Sequence, residues 1–123
     1  MNESPKQKTI LIVEDQEDIL LTLKEYLQIE GYTVVGVANG KEALDFLARE
    51  KMPNLILLDM KMPVMNGWQF SKEFLLRYNH CAPIVVLTAA DDAGRRAQEV
   101  NAAGWLGKPF ELNEVLEQVK KYT

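Results

Sequence analysis

Three carboxylates, a hydroxyl and an ammonium stand at the ends of short apolar runs in this chain. Thr9-Ile10-Leu11-Ile12-Val13 leads into Glu14-Asp15, and Leu55-Ile56-Leu57-Leu58 into Asp59. Ile84-Val85-Val86-Leu87 leads into Thr88, and Trp105-Leu106-Gly107 into Lys108-Pro109. If these runs are strands of one parallel α/β sheet, all five groups meet at its carboxyl edge, where such sheets bind ligands. Two unit charges about 4 Å apart repel by about 4 kcal/mol at an effective dielectric near 20, so three carboxylates together call for protons or a cation. Hard oxygen ligands suit Mg²⁺, which takes one or two carboxylates plus phosphate oxygens and keeps several waters. Zinc fits poorly, because the one His and the one Cys are adjacent, at His80-Cys81, far along the chain from this edge. A hydroxyl and a lysine can both donate to an oxyanion. The set therefore describes phosphoryl transfer, in which positioning and charge neutralisation do most of the catalysis. There is no Gly-rich phosphate loop and no Ser or Cys nucleophile framed by His. A carboxylate is then the expected phosphoryl acceptor.

The elements that must position these groups alternate strand and helix five times. After the first run, Ile19, Leu20, Leu23 and Leu27 recur at helical spacing and Gly31 supplies a stop. Thr33-Val34-Val35-Gly36-Val37 reads as a second strand. Asn39 reads as an N-cap with Glu42 three residues on, before the helical face Ala43, Leu44, Leu47 and Ala48. A loop holding Pro63 and Gly67 leads into a third helix with Trp68, Phe70, Phe74 and Leu75. A fourth helix, over 92–102, is weak, its apolar face only Ala93, Ala97 and Val100. The fifth is clear, with Leu112, Val115, Leu116 and Val119 at i, i+3, i+4 and i+7. The unbroken apolar run of residues 55–58 fits a strand covered by helices on both faces. Right-handed crossovers then give a three-layer α/β/α sandwich.

Composition narrows the class. With 123 residues the chain reads as one domain, residues 9–123, behind a flexible tail at 1–8. A net charge of -4 argues against direct nucleic-acid binding, which needs a basic surface. No apolar run approaches the roughly 18 residues of a membrane span, and the polar start lacks a signal peptide's apolar stretch. A single cysteine makes no internal disulfide, so the expected compartment is the cytoplasm.

Taken in order, four pieces resemble the receiver domain of two-component response regulators, of the single-domain chemotaxis or sporulation type. They are Glu14-Asp15, the segment Leu58-Asp59-Met60-Lys61-Met62-Pro63-Val64-Met65-Asn66-Gly67, Thr88-Ala89, and Lys108-Pro109-Phe110. The resemblance covers about residues 9–122. It implies a flavodoxin-like, doubly wound five-stranded parallel sheet of order 2-1-3-4-5. It implies that Asp59 is the phosphoacceptor, that Thr88 and Lys108 bind phosphoryl oxygens, and that Lys108-Pro109 is a cis peptide. Mg²⁺ or Mn²⁺ would be held by Asp15, Asp59 and the backbone carbonyl of Lys61, with Glu14 acting through water. The implied partners are a histidine kinase or histidine phosphotransfer protein upstream and an output protein, unnamed by the sequence, downstream. Phosphorylation would move the loop after Thr88 and reshape the face of the fourth helix, fifth strand and fifth helix, with Trp105, Thr88 and Ala89 as switch positions. The chain would be a signalling switch rather than an enzyme, assisting its own phosphorylation and dephosphorylation.

Two positions set this chain apart. Three residues before Lys108 the family commonly has Tyr or Phe as a rotameric switch, and here stands Trp105. Its bulk favours staying outside in both states, as a binding anchor. Lys61, two residues after Asp59, can reach over the site and influence phosphoryl lifetime. Taken singly, the residues have duller readings: Glu14 and Asp15 as a loop start and helix cap, Lys108 as a solvated charge, Trp68 as helix-face packing. On the same terms His80 is a loop residue, Cys81 a small buried hydrophobe, and Asp91-Asp92 complement a helix dipole. The competing functions are a Mg-dependent aspartyl-phosphate phosphatase and a phosphorylation-independent interaction module, besides a nucleotide-binding Rossmann-type domain, whose Gly-rich turn would stand where Glu14-Asp15-Gln16-Glu17 stands. The first wants a second Asp two residues after Asp59, where Lys61 stands, and the second wants a missing site residue, where none is missing.

Overall fold

The computed structural model describes residues 8–89 and 91–123. The tail expected at 1–8 thus lies, apart from Lys8, outside the described residues. Among the described residues five strands and five helices alternate: β1 (Thr9–Val13), α1 (Glu17–Ile29), β2 (Thr33–Val37), α2 (Gly40–Arg49), β3 (Leu55–Asp59), α3 (Gly67–Tyr78), β4 (Ile84–Ala89), α4 (Ala93–Glu99), β5 (Gly104–Lys108) and α5 (Leu112–Tyr122). All pairings are parallel and the strand order is β2-β1-β3-β4-β5. This is the doubly wound, flavodoxin-like order, with its switch point between β1 and β3.

Period-two geometry explains the unbroken apolar runs, because each of the three central strands, β1, β3 and β4, feeds two cores. Leu11, Val13, Ile56, Leu58 and Val86 face α2, α3 and α4, where Leu44, Phe70 and Phe74 close the layer. Ile10, Ile12, Leu55, Leu57, Val85 and Leu87 face α1 and α5, where Leu23, Leu27, Val115 and Val119 close it. With both faces covered, neither set of alternate positions can be polar.

Local signals set the helix ends. Asn39 caps α2 by accepting the Glu42 backbone N–H at 2.9 Å, and Asn66 and Gln69 form a reciprocal capping box at α3. The chain leaves α1 through Gly31, at φ 105°, a conformation that favours glycine. Two expectations need correction. The fourth helix runs over Ala93–Glu99 rather than 92–102; Asp92 takes its N-cap position without a side-chain cap bond. Val100 still packs into the core beyond the helix end. Cys81 is exposed, not a buried hydrophobe. The turn after Asn79, at φ 55°, gives the inward position to Ala82 instead. No helix among the described residues is long and apolar enough to cross a membrane.

Candidate functional site

Register brings the chemistry together. Val13 pairs with Leu58, Asp59 with Leu87, Thr88 with Gly107, and Ala89 with Lys108. The carboxyl ends of β1, β3, β4 and β5 are therefore nearly level. Glu14, Asp15 and Asp59 each place a carboxylate oxygen within 4.8 Å of the others. Asp15, Gln16, Asp59, Lys61, Thr88, Ala89 and Lys108 line a shallow pocket of about 270 Å³ over this edge.

Burial divides the cluster. Glu14 is wholly buried, Asp59 is 5% exposed and Thr88 4%, whereas Asp15 is open to solvent. Glu14 Oε2 accepts the Gln16 backbone N–H at 3.1 Å. Glu14 Oε1 lies 2.8 Å from Lys108 Nζ, an ion-pair distance, but has no aligned hydrogen-bond donor among the described residues. Lys108 Nζ is 3.6 Å from Asp59 Oδ1, which also receives a long contact, 3.4 Å, from the Lys61 backbone N–H. The ammonium is thus shared, and nearer to Glu14. Burial pushes the Asp59 carboxyl up from its ordinary 3.8 to about 7, helped by the Glu14 charge and a side-chain hydrogen bond with Asp15. Lys108 and the Lys61 N–H pull the other way without offsetting it.

That imbalance tests the fit of a metal. Three carboxylates gather within 4.8 Å of one another, a single ammonium lies within ion-pair distance of them, and the ligand atoms are all hard oxygens. Such a set fits a hard divalent cation and not a soft one.

The loop that carries Lys61 is strained. Met65 N–H donates to Pro63 O at 2.7 Å around Val64, whose φ is 68°. A β-branched residue in this left-handed three-residue turn costs of order 1–3 kcal/mol. The loop returns to the sheet at Gly67, whose N–H donates to Met60 O at 2.9 Å.

The structure places the remaining candidates as follows. The Lys108–Pro109 peptide is cis. Trp105 points outward at 53% exposure, its indole beside Gly94 of α4. Neither Glu14 nor Asp15 caps α1, since Gln16 holds the N-cap position. Trp68 packs partly into the core and also donates its indole N–H to Glu99 Oε1 at 2.7 Å. Sequence reasoning passed over Gln16, which lines the site; its place directly after the acidic pair was the available signal. It also passed over a larger, more apolar cavity of about 540 Å³ between α1 and the β5–α5 connection, bounded by Ile19, Leu23, Phe110 and Leu112. That cavity shares Gln16 and Lys108 with the charged pocket and holds none of its carboxylates.

Comparison with known proteins agrees with this geometry. Residues 10–120 match the family described as the response regulator receiver domain. The chain is 37% identical over 114 residues to sporulation initiation phosphotransferase F of Bacillus subtilis (strain 168), covering 92% of this chain and 91% of that protein. It superposes on the chemotaxis response regulator CheY4 of Vibrio cholerae with a TM-score of 0.85 and 31% identity, covering 95% of this chain and 99% of that one. The receiver domain of the sensor histidine kinase PA1611 of Pseudomonas aeruginosa PAO1 gives a TM-score of 0.84 at 28% identity, covering 94% and 97%. That structure carries a magnesium ion coordinated in its active-site cleft. Several matched transcriptional regulators are longer, and the chain spans about half of their length.

Proposed function

The chain belongs to the response regulator receiver domain family, and we propose that Asp59 is the residue through which it takes up a phosphoryl group from phosphohistidine. Membership makes it a phosphorylatable receiver of two-component signalling or of a phosphorelay. The assignment to Asp59 rests on one observation. It is the carboxylate that ends the central strand β3, in reach of Lys108 and within 4.8 Å of both other carboxylates.

The chemistry follows from that arrangement. The donor's N–P bond breaks as a bond forms between phosphorus and an Asp59 carboxylate oxygen, and the freed imidazole takes its proton from solvent. Asp59 must be ionised to attack, so its raised pKa has to be brought back down during the reaction. Asp15, Asp59 and the Lys61 backbone carbonyl would hold Mg²⁺ or Mn²⁺, with Glu14 acting through water, and the cation would neutralise both the carboxylates and the phosphoryl oxygens. Lys108 turns from its shared position toward a phosphoryl oxygen, and the Thr88 hydroxyl donates to another. Hydrolysis runs through the same groups, with Lys61 over the pocket limiting water access, so the chain assists its own phosphorylation and dephosphorylation.

The donor is a histidine kinase or a histidine phosphotransfer protein in the cytoplasm. The similarity to a sporulation phosphotransferase supports a relay, and the apolar cavity that shares Gln16 and Lys108 with the site supports docking of the donor along α1. The new group adds about -1.5 to -2 charges. Its pull on Thr88 and Lys108 moves the loop after Thr88 and with it the α4-β5-α5 face, where Trp105 anchors an output partner. Residues 9–123 act as the receiver unit.

Labelled acetyl phosphate with Mg²⁺ tests the assignment. The wild-type chain should take up hydroxylamine-labile label and Asp59→Asn none. Undiminished label in Asp59→Asn overturns the assignment, and sustained turnover of a generic phosphoester would establish the phosphatase reading instead.

A further inference from the structure

α4 has the thinnest apolar anchorage of the five helices. It buries only Ala93 and Ala97, with Val100 just beyond its end. Trp105 of β5 lies against Gly94, and a polar hold comes from α3. Trp68 donates its indole N–H to Glu99 Oε1 at 2.7 Å. Arg96 Nη1 lies 3.3 Å from that same oxygen, and the Arg96 guanidinium stands over the Trp68 ring, 5.4 Å from its centroid. One carboxylate oxygen and one indole thus join three side chains across the two helices. Arg96 Nε is buried without an acceptor among the described residues.

Trp68 also follows directly on the α3 residue that touches the backbone of the phosphoacceptor. Its neighbour Gly67 is seated on the backbone of Asp59 and Met60 with no slack. A Cβ there would lie 2.7 Å from Met60 Cα and 2.9 Å from the Asp59 carbonyl oxygen. Close-packed groups transmit displacement rather than absorbing it. A shift of the backbone at Asp59 and Met60 therefore moves the first turn of α3, and with it the indole that holds Glu99.

We propose that Trp68, Arg96 and Glu99 form a latch that resists displacement of α4 and ties it to the Asp59 edge. The inference rests on the reading of Asp59 as phosphoacceptor. It adds a route to α4 through the start of α3, separate from the loop after Thr88. Both ends of the latch are residues that this chain places 31 positions apart, and the hydrogen bond between them is available to Trp but not to Phe, Leu or Met at position 68.

The test uses Trp68→Phe, which keeps an aromatic ring but loses the N–H, Glu99→Ala, and the double variant. Hydrogen exchange is read at the α4 amides and, as internal control, at β1 and β3. Each single variant should speed α4 exchange about tenfold and leave the strands unchanged, and the double variant should be no faster than the quicker single. With Mg²⁺ present, half-saturation by beryllofluoride should fall by about threefold or more in each variant, since less of the phosphoryl mimic's binding is used to release α4. Unchanged α4 exchange, or additive effects of the two substitutions, overturns the latch. Faster exchange with unmoved beryllofluoride affinity overturns its coupling to the site. A wild-type chain indifferent to beryllofluoride overturns the phosphoacceptor reading instead, and the exchange measurements then judge the latch alone.

Discussion

Leu57 and Asp59 stand two residues apart on β3, and the same burial acts on them with opposite sign. Leu57 has no exposed surface and packs among Ile10, Ile12, Val85 and Leu87. Removal of a leucine side chain from water favours folding by about 1.5–3 kcal/mol. Asp59 is 5% exposed, and there the loss of water penalises the ionised carboxylate, raising its pKa to about 7. The interior of the sheet is where stability is made, and its carboxyl edge is where part of it is given up. The wholly buried Glu14 carboxylate and Val64 at φ 68° belong to that same edge. A cluster of like charges persists only because the surrounding core over-determines the position of each strand end.

Substitutions can sharpen that contrast or break it. The largest expected effect lies in the interior: Leu57→Ala should lower stability by about 2–5 kcal/mol in chemical denaturation, with the buried cluster unable to close the gap. A loss below about 1 kcal/mol would mean that the interior is not the source of stability.

At the edge the sign should reverse. Without metal at pH 8, Asp59→Asn should raise stability by about 1–3 kcal/mol, because it removes a buried charge from beside Glu14. The pH dependence follows from the direction of the shift. A carboxyl whose folded pKa lies above its unfolded value binds its proton more tightly when folded. Its contribution is full below the unfolded value of 3.8 and is lost as pH rises through about 7. The advantage of Asp59→Asn over wild type should therefore be negligible near pH 4, grow up to about pH 7, and stay level above it. Melting curves across that range check it, and an advantage that shrinks with rising pH would reverse the assignment of cause.

Metal should narrow the difference between the two regions. Mg²⁺ at ten times its dissociation constant stabilises the native state by about 1.4 kcal/mol. That gain should be seen in thermal melting of the wild type and be lost in Asp15→Asn. Indifference of the wild type to millimolar Mg²⁺ would remove the metal from the account of the edge.

The smallest effect concerns the strained turn. Val64→Gly trades relief of the left-handed conformation against the entropy of an added glycine, for a net gain of about 0–1 kcal/mol. A loss of more than about 1 kcal/mol in denaturant titration would show that the Val64 side chain, 74% exposed, makes a contact that stabilises the loop.

Much of this was legible along the chain, for a physical reason. Whether a segment forms a strand or a helix depends on apolar periodicity and on caps such as Asn39, and these are local. The apolar runs ending in Glu14, Asp59, Thr88 and Lys108 marked the edge, because a parallel sheet brings all its carboxyl ends to one side. The weak apolar face of α4 was equally plain in Ala93, Ala97 and Val100. Cys81 was misread because composition says how often a cysteine is buried, while the turn at Asn79 decides which of two neighbours, Cys81 or Ala82, points inward.

Tertiary structure alone decided the quantities that depend on distance and solvent. It set Lys108 closer to Glu14 than to Asp59, left Asp15 open while burying its neighbour Glu14, and carried the Asp59 carboxyl toward neutrality. It also brought Trp68 to Glu99, a hydrogen bond between residues with no periodic relation in the chain. By itself the sequence determined which elements form and which chemical groups end them, since those follow from neighbouring residues. Only packing determined which charges meet and which lose their water, since charge interactions and desolvation depend on where every other element has come to rest.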